Sequence, residues 1–205
     1  MVDKQEIQRL LKTYYSIRGE TIISDEGVVT VNGDVDVVAW PGYLPVQFHT
    51  VTGHWEFWDA GRGLRDLTGC PQFVGSHFWC SNVRLGSLKG APMYVSDDFR
   101  IISCGLNDLT HGPRHVGGNY QAYRNPLASL EHLAEHIGGY VDFDWFPNVP
   151  LLRTLVAKKV EPMQHNEVVE PVADILNKYA GRGKAGALQA AAELIKAGFK
   201  GNARW

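Results

Sequence analysis

The stretch VGSHFWCSNVRLGSLKGAPMY (residues 74–94) is matched by VGGNYQAYRNPLASLEHLAEH (116–136), which starts 42 positions later, twice 21. Working outward from these units, Leu67, Leu88, Leu109, Leu130 and Leu151 recur every 21 residues, and Leu64, Leu85, Leu106 and Leu127 lie three before them. Val74, Val95, Val116 and Ile137 keep the same spacing, with Val51 preceding by 23. An aromatic column, Trp55, Phe78, Phe99 and Tyr120, ends in Val141, and a proline column runs through Pro71, Pro92 and Pro113. Columns that hold one register over about five units are the signature of a repeat architecture.

Within a unit the Val column, the aromatic four later and the residue six later (Phe57, Cys80, Ile101, Ala122, Phe143) lie an even number apart. That parity is a strand burying one face. The L-x-x-L step and the Gly-x-Pro corner return the chain, so stacked units bury a continuous column that no single unit could bury. A unit of 21 falls in the ~20–29 residue range of leucine-rich coils. The fold expected is mainly β with helical caps: a leucine-rich-repeat-like parallel β-solenoid of about five 21-residue coils. An antiparallel sandwich also alternates, but nothing in it forces residue types to recur at fixed spacing.

Residues 25–50 read as a degenerate first coil, with Val29, Val31, Val35 and Val37 on one parity. A two-residue insertion near Ala60-Gly61-Arg62-Gly63 should bulge from one edge. Open solenoid ends need caps. Lys4–Tyr15 reads as a helix with Ile7, Leu10, Leu11 and Tyr14 on one face. After the repeat, Ala157–Asn166 reads as a polar linker, and Val172–Tyr179 and Ala185–Ala197 read as a helical hairpin ending at glycines. The organisation is thus a capping helix (1–24), a solenoid (25–156), and a linker with hairpin and basic, aromatic tail (157–205).

Lys+Arg is 20 and Asp+Glu is 22, for a net charge of −2. That disfavours nucleic acid held mainly through phosphate contacts. Glycine, at 22 residues, follows no Gly-X-Y period. Three cysteines, Cys70, Cys80 and Cys104, suit small buried residues rather than a disulfide framework. The charged amphipathic start is unlike a signal peptide, and no run approaches the ~18 apolar residues of a membrane span.

The two quoted units resemble the repeat VGG-x-F-x-C-x-x-N-x-L-x-S-L-x-G-A-P of leucine-rich-repeat-like proteins encoded by tailed bacteriophages. The segment GKAGALQAAAELIKAGFKGNARW (183–205) is similar to the C-terminal segment of some of them. The resemblance covers residues 51–155 and the tail, and implies a phage protein in the host cytoplasm or the virion. Departures are the consensus Asn, read clearly only at Asn82 and Asn125, and the irregular fifth unit, DWFPNVPLL (144–152).

Chemistry-bearing clusters are weak. Glu131-His132 and Glu135-His136 have an i, i+4 His pair but not the His-Glu-x-x-His order, and fall where other units turn. His54 and His77 share a column and are expected to stack as a surface ladder. Gly181-Arg182-Gly183-Lys184-Ala185 lacks the full phosphate-loop motif and reads as a turn between helices. No catalytic residue, cofactor or metal set is assigned.

The outward parity is more informative. Residues five and seven after the Val column include Trp58, Trp79, Arg100, Ile102, Tyr123, Asp142 and Asp144, a stripe rich in types enriched at binding hot spots. Arg182, Lys184, Lys200, Arg204 and Trp205 offer contacts in the tail. The expectation is a non-enzymatic protein that binds a host protein through its solenoid face or helical tail and modulates it, for example a host defence system. The alternatives are a virion or assembly component, oligomeric through the same stripe, and a nucleic-acid-associated module using the basic tail.

Overall fold

Val29, Val31, Val35 and Val37 are fully buried along strand β2 (Val29–Val37), as their shared parity requires. The computed structural model describes residues 3–57, 63–145, 149–163 and 166–205. β2 is the branch point of the sheet: its first half pairs in parallel with Phe48–Val51 and its second half with Trp55–Phe57. From the first branch a ladder climbs through Phe73–Val74, Tyr94–Val95, His115–Val116 and His136–Ile137. From the second, another climbs through Phe78–Trp79, Phe99–Arg100, Tyr120–Gln121 and Tyr140–Phe143. A shorter third ladder pairs Gly63–Leu64 with Arg84–Leu85. The chain is a parallel β-solenoid of about six turns, about 21 residues each, with a helix before it and two after.

The alternating strand read in each unit is therefore two short strands, separated by bends such as Gly75-Ser76 and Gly117-Gly118. Parity survives the bend, because Val74, Phe78 and Cys80 are all at 0% exposure. Phe78 and Phe99 stack with ring centroids 5.2 Å apart, and Phe99 meets Tyr120 at 5.1 Å. Both leucine columns are buried throughout, and the three cysteines are buried and free. At the corner Gly90 adopts φ +87°, and a Cβ there would meet the Leu67 carbonyl at 2.5 Å. Only glycine allows the chain to turn that close to the coil below.

The ends depart from the sequence reading. α1 (Lys4–Tyr14) is capped by Asp3, whose carboxylate accepts from the Gln5 and Glu6 amides, and it buries Leu11 with Ile7, Leu10 and Tyr14 packed alongside. It runs directly into strand β1 (Tyr15–Ile23), antiparallel to β2, so residues 15–23 belong to the sheet rather than to a helical cap. The segment read as a polar linker instead carries Lys159–Pro162, which extends the second ladder beyond Tyr140–Phe143. Its outer edge is closed by Asn177 of α2 (Val169–Tyr179), whose side-chain amide accepts from the Val160 N–H and donates to the Val160 carbonyl. An unpaired strand edge invites another chain, and Asn177 blunts this one. The hairpin is completed by α3 (Gly183–Lys196). Beyond α3, Asn202 anchors the C-terminal tail: its side chain donates to the Val149 carbonyl while its backbone carbonyl accepts from the Leu151 amide.

Asn82 and Asn125 are not equivalent. Asn82 is exposed at φ 59°, in one column with Ser103 and Arg124, which share that left-handed conformation. Asn125 lies one position further along its coil, in the column of Val83 and Cys104, and is 2% exposed. The insertion at 60–62 lies outside the described residues.

Candidate functional site

On the second ladder the outward side chains form the stripe expected from parity, but one that is half-buried rather than open. Trp79 donates from Nε1 to Ser81 Oγ at 2.6 Å and carries the Arg100 guanidinium over its ring at 5.2 Å. Arg100 is held in turn by Asp98 at 2.7 Å. Ile102 and Tyr123 are half-exposed, and the Arg124 amide donates to the Asp144 carboxylate. Trp58 lies outside the described residues. The stripe thus commits much of its polar capacity to its own members, which leaves fewer groups to face a partner.

Asp142 departs from the stripe. It is 6% exposed, because Lys159–Pro162 adds beside its strand and Glu170, Ala173 and Asp174 of α2 close a cavity of about 320 Å³ over that edge. Its Oδ1 finds no hydrogen-bond partner. Burial, with Glu161 and Asp144 nearby, lifts its carboxyl to about 7 against the pull of Gln121. The folded state then holds a proton that the unfolded chain releases near pH 4. Stability from this group is present below that value, falls as pH rises between about 4 and 7, and is flat above, a loss of at most ~4 kcal/mol. Asp142→Asn should flatten this slope: the drop in urea-unfolding free energy from pH 5 to pH 8 should shrink by more than ~1 kcal/mol against wild type. Equal slopes would mean that Asp142 titrates like an exposed carboxylate.

A second exposed column lies outside the stripe. Phe73, Tyr94, His115 and His136 precede the Val-column residues of their coils and stack at 5.1, 4.4 and 4.4 Å along the first ladder. Their 21-residue spacing is visible in the sequence, but parity counted forward from the Val column does not reach them. His115 is held below the usual histidine range by partial burial and by His136. The rings stack face to face along the axis, so they present mainly edges to solvent. His54 and His77 stack as expected, at 4.9 Å.

The tail residues lie on the surface. Arg182, Lys184, Lys200, Arg204 and Trp205 are exposed, and Arg182 sits over the Tyr179 ring at 5.5 Å. They border an apolar feature. Leu152, Ala187, Leu188, Ala191, Ala203 and Trp205 line a cleft of about 540 Å³, with Lys184 at its mouth. Leu188 is 75% exposed, Trp205 57% and Ile195 54%. Leu188, Ala191 and Ile195 follow i, i+3, i+7 spacing and so share one face of α3. Helix formation explains why the side that packs inward is Ala187, Ala190 and Leu194 and this one is left outside. No protein-family model, curated protein or solved structure matches this chain.

Proposed function

We propose that the chain is a non-enzymatic, phage-encoded recognition solenoid that acts in the host cytoplasm by binding a host protein and changing its activity. The phage context rests on the resemblance of the 74–94 and 116–136 units. The binding role rests on one observation, the outward apolar face of α3 around its cleft, where Leu188 is three-quarters exposed. Large apolar side chains grouped on one helix face mark interaction sites more often than isolated ones do. Lys184, Lys196 and Lys200 are exposed along the same segment, so the partner that fits is an apolar ridge bordered by acidic side chains. The half-buried stripe on the solenoid serves this reading less well, since the Trp79 ring is already covered by Arg100, which Asp98 holds in turn.

The test is cross-linking mass spectrometry on the chain expressed in host cells, wild type against Leu188→Glu/Ile195→Glu. Wild type is expected to give cross-links from Lys184 and Lys196 to one acidic-rimmed host protein, and the variant to lose them while keeping its circular dichroism. Identical cross-link sets would remove the α3 face as the contact. A fixed stoichiometry in purified particles would make the protein a virion component instead, and cross-links only between copies of the chain would make the face a homo-oligomer interface.

A further inference from the structure

The β1–β2 hairpin brings a polar cluster onto the outer wall at the base of the second ladder. Arg18 on β1 is registered with Asp34 on β2, and Asp36 with Glu56 on the neighbouring parallel strand. Asp34 Oδ1 accepts from the His54 backbone amide at 3.1 Å and lies 3.3 Å from His54 Nδ1. Each ring nitrogen of His54 thus faces a carboxylate oxygen. Nε2 is 3.0 Å from Asp36 Oδ1 and 3.0 Å from Arg18 Nη2, while Arg18 Nη1 donates to Asp36 Oδ2 at 2.6 Å. Asp36 is 4% exposed.

No protonation state of His54 suits all these contacts: with the proton on Nε2 alone, the ring donates to Asp36 but turns that N–H toward the guanidinium and a lone pair toward Asp34. With the proton on Nδ1, a lone pair faces a buried carboxylate oxygen. With both nitrogens protonated, Nε2–H faces a guanidinium that can only donate. Among the described residues, the carboxylates of Asp34, Asp36 and Glu56 gather around the guanidinium of Arg18.

We infer that Asp36, His54 and Glu56 form a binding site for a divalent transition-metal ion of the Zn²⁺ class, from which Arg18 withdraws when the ion enters. One ligand atom from each of these residues lies within 4.8 Å of the other two. At metal–ligand distances of ~2.0–2.2 Å, atoms 3.0 Å apart subtend roughly 90° at a shared ion, an angle that such ions accept. Asp34 is the outer carboxylate that a ligating histidine needs on its other nitrogen. Arg18 has a side chain 54% exposed, so it can swing into solvent, and a divalent ion replaces its charge with a larger one. Asp36 lies in the degenerate first coil and His54 follows 18 residues later in the first regular unit, which is why the 21-residue spacing carries no metal signature.

The experiment is Co²⁺ titration of the full chain, read by visible d–d absorption, with Zn²⁺-dependent thermal shift in parallel. Expected are one equivalent bound per chain, a rise in Tm, tighter binding by Arg18→Ala, and about 10–100-fold weaker binding by Asp34→Asn. His54→Gln and Glu56→Gln should lose the absorption band. Should His54→Gln fail to fold, the half-exposed Glu56 makes Glu56→Gln the deciding variant. The proposal is overturned if neither wild type nor Arg18→Ala responds at millimolar metal, or if both Gln variants titrate as wild type does, which would place the ion on other surface histidines.

Discussion

Phe99→Ala is expected to cost about 3–5 kcal/mol, the usual price of emptying a fully buried aromatic site. Phe73→Ala should cost ~1 kcal/mol or less, although both residues sit in ring ladders with the same axial spacing. The difference is the face. Phe99 is at 0% exposure, stacks on Phe78 below and meets the tilted ring of Tyr120 above, whereas Phe73 is 37% exposed and stacks on Tyr94 at the surface. In a solenoid each coil touches only its neighbours, so stability is roughly a sum of coil and interface contributions. Phe99 contributes to two interfaces at once. Its loss should therefore also uncouple the coils, so that urea unfolding followed by circular dichroism becomes broader or splits. Equal destabilisation by the two substitutions would contradict the inward and outward assignment on which the fold rests.

The same contrast explains what was legible in the sequence. Every coil places the Val, aromatic and Leu columns in the same environment, so selection for packing repeats the residue types and the register can be read directly. Where an element occurs once, that averaging is missing. β1 alternates, but Gly19 and Thr21 interrupt its apolar side, and it pairs antiparallel with β2. Lys159–Pro162 directs only Val160 and Pro162 inward, so four residues of strand resemble a polar linker. Asp142 has the outward parity it was assigned, yet what covers it comes from α2, some thirty residues away. Parity reports which side of the sheet a residue occupies, and tertiary contacts decide whether that side is open. The metal cluster has the same origin, since β1 and β2 bring Arg18, Asp34 and Asp36 against the strand carrying Glu56 through pairings that no repeat encodes.

Asn125→Ala should be the other severe substitution, at about 3–5 kcal/mol, because it strands several backbone groups at once. Asn125 Oδ1 accepts from the Cys104 and Leu106 amides at 3.0 and 3.2 Å, and Nδ2 donates to the Ile101 and Ala122 carbonyls at 2.6 and 2.8 Å. The third ladder, which pairs Gly63–Leu64 with Arg84–Leu85, is not continued by strands in the coils that Asn125 joins, so its side chain does there what strand pairing does below. One coil down, Cys104 supplies part of the same service, with its thiol donating to the Cys80 carbonyl at 3.0 Å. Asn125→Asp keeps the acceptor but loses both donors and buries a charge, so it should be no milder than alanine. Asn82, in the neighbouring column, predicts the opposite. It is exposed with φ 59°, so Asn82→Gly should be near neutral, while Asn82→Val should cost ~1–2 kcal/mol in backbone strain. Urea unfolding ranks the variants, and amide exchange locates the damage: in Asn125→Ala the Cys104 and Leu106 N–H groups should exchange well before the rest of the coil. If the two asparagines instead proved equally sensitive, they would occupy one column after all, and the inner hydrogen-bond ladder would have to be redrawn one residue earlier.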